Sequence, residues 1–162
     1  MENTSDETTR HISLLGNVIA KRLHDGLSLH ELSSIVMDHN KGWEQYVGFS
    51  TEKYKRQLVT RNDSVDVVVI SWNVDQHSGL HDHPSNGCIM HVVQGQLQED
   101  IYVRETTDNN KFSLSKSKII QSGDISFIQG HSGIHNIINC NVQSVSIHVY
   151  SPPNYKLTYY NP

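Results

Sequence analysis

His81-Asp82-His83, followed by Cys88 and Gly95 and much later by His135, is where this chain could do chemistry. Two imidazoles two residues apart on an extended strand point to the same side of a sheet. A third, from a distant strand, completes one face of a metal ion. Three neutral nitrogen ligands on one face leave other coordination positions free for a substrate. The pattern points to an enzyme.

The remaining histidines and the two cysteines carry less. His11, His24, His30 and His39 lie on or beside helical patterns, without paired spacing or a Cys or carboxylate cluster nearby, and read as surface residues. Two cysteines in 162 residues do not make a disulfide framework. By composition alone Cys88 and Cys140 read as small buried hydrophobes.

The elements that must position these side chains change texture along the chain. Residues 1–10 read as a disordered polar tail. A single domain is expected over 11–162, with helices in about 11–48 and a β-barrel over about 54–162. Leu14, Leu15, Val18, Ile19 and Leu23 recur at helical spacing within residues 12–23. Ser28 and Glu31 form a capping-box pattern, with Ser28 expected to bond the Glu31 amide, ahead of the apolar stripe Leu29, Leu32, Ile35 and Val36. A short helix is expected around residues 43–47. These helices should cover one end or face of the strands.

Strand-like segments then follow at 65–72, 88–93, 96–103, 112–120, 124–128, 134–138, 143–150 and 155–159, with glycines marking the turns. Many short strands without intervening helices suggest a mainly β fold, a sandwich or barrel of the kind that includes the cupin jelly roll. Val145, Ile147 and Val149 fall on one face of their strand and Ser146, His148 and Tyr150 on the other. That polar face either stands in water or lines a pocket inside the barrel, and the alternation leaves both readings open.

A formal charge of −4 without a Lys/Arg cluster argues against nucleic-acid binding. No stretch has the apolar length to span a membrane, and the polar, acidic start does not read as a signal peptide. A cytoplasmic location is expected.

The spacing His81-x-His83, four residues, Cys88, six residues, Gly95 resembles the first cupin motif, with Cys88 in place of the usual glutamate ligand. Gly123, and His135 followed after three residues by Asn139, resemble the second. Together with Tyr54-Lys55-Arg56 and the run from Ser146 to Pro153, these motifs resemble the cysteine dioxygenase family over most of the chain. The resemblance implies a cupin barrel in which His81, His83 and His135 hold one Fe(II) per subunit. It implies that Cys88 and Tyr150 form a thioether cross-link, that Arg56, with Tyr54, binds the substrate carboxylate, and that Ser146 and His148 bond onward from the tyrosine. The substrates would be L-cysteine and O2 and the product cysteine sulfinic acid, in cysteine catabolism and taurine biosynthesis, with the chain acting as a monomer.

These residue types suit that chemistry. Three neutral histidines leave the site with the metal's full charge, which favours an anionic thiolate, and a carboxylate at position 88 would oppose it. The fork of Arg56 can donate two parallel bonds to a carboxylate. Family members that prefer another small thiol, such as 3-mercaptopropionate, generally carry glutamine at the Arg56 position, and Gln57 is adjacent. A non-catalytic metal-binding cupin is a further alternative. Many animal members have histidine where Gly87 stands, and a longer C-terminal tail, so pocket closure is expected to differ.

Overall fold

The computed structural model describes residues 8–161, so the first seven residues of the expected tail lie outside it. Helix α1 (Ile12–His24) buries Ile12, Leu15 and Ile19 on one stripe and ends with basic residues in its last turn. A 3-10 turn (His30–Leu32), helix α2 (Ser33–Asp38) and a second 3-10 turn (Glu44–Tyr46) follow. The Ser28/Glu31 pair bonds in the reverse sense to that expected. The Glu31 carboxylate accepts from the amide and the hydroxyl of Ser28, each at 2.8 Å. It anchors the entry to a 3-10 turn, and the α-helix begins only at Ser33.

The rest is β: β1 (Lys55–Arg61), β2 (Asp66–Trp72), β3 (Leu80–His81), β4 (Gly87–Gln94) and β5 (Gln96–Arg104). They are followed by β6 (Phe112–Gln121), β7 (Ile125–Ile128), β8 (Ile134–Ile138), β9 (Ser144–Ser151) and β10 (Tyr159–Tyr160). Two antiparallel sheets result, ordered β1-β2-β9-β4-β7 and β10-β3-β8-β5-β6. Strand β1 has no counterpart among the expected segments, because it opens on the polar, exposed Lys55, Arg56 and Gln57, which hide the pairing with β2. The strand expected over 155–159 shrinks to Tyr159–Tyr160. Just before it, Asp82 takes the backbone instead: its carboxylate accepts from the Thr158 amide at 2.7 Å, and its amide donates to the Thr158 carbonyl at 3.1 Å.

Strand alternation builds two separate cores. Val67, Val69, Ile89, Val145, Ile147 and Val149 face outward from the first sheet and pack against Ile12, Leu15, Ile19, Leu32 and Val36 of the helices. Val68, Ile70, Trp72, Cys88, Met90, Val92 and Tyr150 face inward and meet Leu97, Ile120 and Ile137 of the second sheet. Gly95 turns the chain between β4 and β5 with φ 73°, and a Cβ there would run into the Ser144 hydroxyl. Among the described residues, no helix is long and apolar enough to cross a membrane.

Candidate active site

His81 and His135 face each other across the β3–β8 pairing. His83 does not share their sheet: β3 stops at His81, and the chain leaves it toward Pro84, which has no amide to continue a ladder. His83 is instead fixed from the loop, its Nδ1 donating to the Gly133 carbonyl at 2.8 Å. The other two rings are held in the same manner, His81 Nδ1 by the Gly79 carbonyl at 2.8 Å and His135 Nδ1 by the Glu99 carboxylate at 2.7 Å. With every Nδ1 occupied as a donor, the three Nε2 atoms turn toward one another.

His135 Nε2 lies 2.9 Å from that of His83 and 3.2 Å from that of His81, and all three rings are buried. Burial pushes the His81 imidazole down to about 3, with the His135 charge acting in the same direction, and drives His83 well below its ordinary value. Imidazole lone pairs turned this close together repel unless a cation sits among them. Two nitrogens bound at right angles to one metal, at bonds of about 2.1 Å, lie about 3 Å apart, as His135 does from each of the other two, and all three donor atoms lie within 4.8 Å of one another, so the set could hold one first-row ion.

Beside the cluster, the polar face of β9 points inward. The open question of Ser146, His148 and Tyr150 is decided in favour of a hydrogen-bonded row inside the barrel, since all three are buried. Trp72 Nε1 donates to Ser146 Oγ at 2.9 Å, which leaves the Ser146 hydroxyl to donate to His148 Nε2 at 2.8 Å. His148 Nδ1 then donates to the Tyr150 hydroxyl at 3.2 Å, and Arg56 Nη1 donates to the same oxygen at 3.2 Å. Burial pushes the Tyr150 phenol up, and Arg56 only partly offsets it, so the ring is neutral at neutral pH. Cys88 lies directly opposite Tyr150 in the β4–β9 pairing, with its Sγ 3.9 Å from His148 Nδ1; burial raises that thiol too.

Arg56 pairs with Ile70, an inward residue, whereas Gln57 pairs with Val69, which faces the helices. The register thus turns Arg56 toward the site and Gln57 away from it. Tyr54 stacks on Trp72, ring centroids 4.6 Å apart. Tyr54 and Arg56 line both an inner cavity of about 10 Å³, next to His81, His135 and Tyr150, and an outer vestibule of about 560 Å³ that Tyr159 also lines. Gly87 has φ 95°, and a Cβ there would meet the Ile128 carbonyl, so no side chain fits before Cys88. Cys140 is exposed, not buried as expected.

Trp72, Glu99 and Tyr159 were not singled out by spacing. Trp72 closes the inward series Val68, Ile70, Trp72, and Glu99 interrupts the inward series Leu97, Glu99, Ile101 with a carboxylate. That interruption is the one signal the sequence offered for Glu99.

Two facing antiparallel sheets around a buried histidine cluster define a cupin. Solved structures of the same architecture include a double-stranded β-helix protein from Klebsiella pneumoniae, with TM-score 0.60, 19% identity and coverage of 74% of this chain and 88% of that one. A cupin superfamily protein from Desulfitobacterium hafniense aligns with TM-score 0.51 and 10% identity over 74% of this chain and 86% of its own. The family model for cysteine dioxygenase type I matches residues 3–162, and the chain belongs to that family. Cysteine dioxygenase type 1 of Homo sapiens is 24% identical over 135 residues, which cover 80% of this chain and 68% of the human one.

Proposed function

We propose that this chain is an iron-dependent thiol dioxygenase that oxidises L-cysteine with O2 to cysteine sulfinic acid. The observation that carries the reading is the convergence of three buried Nε2 atoms beside Tyr150 and Arg56, in a member of the cysteine dioxygenase type I family. His81, His83 and His135 would hold one Fe(II), and the bound metal supplies activation of dioxygen toward sulfur, which no side chain offers.

The chain's own residues bind, orient and hold protons. Arg56 meets the substrate carboxylate with a charge-assisted fork, reached through the vestibule. His148 and Arg56 both donate to the Tyr150 oxygen, so the phenol's own hydrogen is free to turn into the cavity and donate to a reacting atom there. Trp72 and Ser146 fix the His148 tautomer that makes this possible. The inner cavity's tight lining keeps bulk water from the reacting sulfur.

The register of Cys88 against Tyr150 supports a thioether between them. The Cys88 S–H and one ring C–H of Tyr150 are lost, an S–C bond forms, and dioxygen takes the two protons and two electrons. Purified protein should contain a fraction lighter by two hydrogens in which the two peptides are joined. Complete alkylation of Cys88 in denatured, turned-over protein would remove the cross-link and leave the enzyme reading in place.

The reading extends to a cytoplasmic monomer of one domain over residues 11–162, acting in cysteine catabolism and feeding taurine biosynthesis. Its test is anaerobic iron loading, addition of cysteine and then of labelled O2, with sulfinate read by mass spectrometry. Both sulfinate oxygens should carry label, and His135→Ala should lose iron and turnover together. Full loading and turnover in His135→Ala overturns the assignment. No sulfinate from loaded wild type leaves a metal-binding cupin without this activity, and faster turnover of 3-mercaptopropionate reassigns the substrate.

A further inference from the structure

We infer that Glu99 is a positioning residue that sets the donor strength of His135, and that Lys118, bound to the far side of its carboxylate, tunes that effect in the opposite sense. This rests on the three-histidine metal site proposed above. Glu99 is 1% exposed, and its two oxygens divide their work. Oε1 accepts from His135 Nδ1 at 2.7 Å, while Oε2 accepts from the Ser126 hydroxyl at 2.5 Å and from Lys118 Nζ at 3.0 Å. Lys118 also donates to Ser126 Oγ at 2.9 Å, closing a triangle on the side away from the histidines. The β5–β6 register places Glu99 directly opposite Lys118, so the pair is built into the sheet.

The other two rings lack this arrangement. His81 and His83 each donate Nδ1 to a neutral backbone carbonyl. Only His135 donates to a charged group. A carboxylate on Nδ1–H draws the proton toward itself and returns electron density to the ring, making Nε2 the strongest donor of the three. It also places a negative charge one imidazole away from the metal. The histidines by themselves would leave the ion's full charge uncompensated. Glu99 lowers that charge from behind one ligand, without occupying a coordination position. Lys118 withdraws part of the effect, because its ammonium competes for the same carboxylate.

The geometry makes a prediction of sign. Glu99→Gln keeps the shape and a carbonyl acceptor for His135 but removes the charge. Fe(II) affinity, measured by chelator competition on the whole protein, should weaken about 10- to 100-fold. The Fe(III)/Fe(II) reduction potential should rise, since the ferric state loses more stabilisation than the ferrous one. Lys118→Gln should move both quantities the other way, toward tighter binding and a lower potential. The double variant should return toward wild type, because the two charges leave together.

A purely structural role predicts something else: lower melting temperatures in both single variants, worst in the double, with affinity and potential unmoved. That result overturns the inference, as do shifts of the same sign in the two single variants. Co(II) affinity of the same variants repeats the binding test without redox chemistry or turnover. If wild type itself binds neither Fe(II) nor Co(II), the metal-site reading fails; if it binds both and the variants match it, only the Glu99 inference fails.

Discussion

Arg56 bonds the Tyr150 hydroxyl through Nη1 and holds its guanidinium 5.2 Å from the centre of that ring. One residue would therefore both meet the proposed substrate's carboxylate and orient the phenol. Replacing it with glutamine removes the charge and the paired donors. Charge-assisted bonds contribute about 1.5–3 kcal/mol, so kcat/KM for cysteine should fall about 10- to 100-fold. Comparing 3-mercaptopropionate with cysteine turnover in wild type and Arg56→Gln separates the two substrate readings. Unchanged kinetics for both thiols in Arg56→Gln would take Arg56 out of substrate binding. At this scale the sequence was informative where spacing is short and repeated, as in His81-x-His83 and Ser146-x-His148-x-Tyr150. It was silent where a side chain acts through a partner on another strand. Glu99, Ser126 and Lys118 come from three strands, and nothing local marks them as neighbours.

Among the elements, β2 and β9 each show one face to the helices and the other to the site. The apolar run at 65–72 was legible because both of its faces are buried, and the segment at 143–150 was legible by its alternation. The edge strand β1 was not, since pairing through backbone groups leaves no trace in polar, exposed side chains. The capping pair at Ser28 was legible as a contact but not as to which group would donate. Separation of the two cores leads to a clear expectation. Leu15 is fully buried against the outer face of the first sheet. Leu15→Ala should destabilise the fold by about 2–5 kcal/mol in denaturant unfolding, with metal affinity and KM near wild type. Loss of metal binding in a folded Leu15→Ala protein would show that the helical layer shapes the site through the sheet.

The whole molecule carries an acid sensitivity in its buried imidazoles. Burial lowers His81 to about 3, lowers His91, and drives His83 and His148 well below their ordinary value. In the unfolded chain these groups titrate near 6.5. Below that pH the unfolded state binds more protons than the folded one, so stability declines on acidification from about 6.5 toward 3. Glu99, which its bond to His135 holds at about 2 against the upward push of burial, adds a loss of the same sign at lower pH. Between pH 7 and 5 the metal-free protein should lose on the order of 6 kcal/mol, a fall of roughly 15 °C in Tm. A Tm that is flat across this range would mean that these rings are protonated or solvated in the native state. The two-sided use of β9 has an evolutionary corollary. Its odd positions grip the helices and its even positions face the barrel interior, so inserting or deleting one residue would swap the two sets at a stroke. Length changes in this lineage should therefore be purged from that segment and tolerated in the loop between Arg104 and Phe112, where neither surface depends on reading frame.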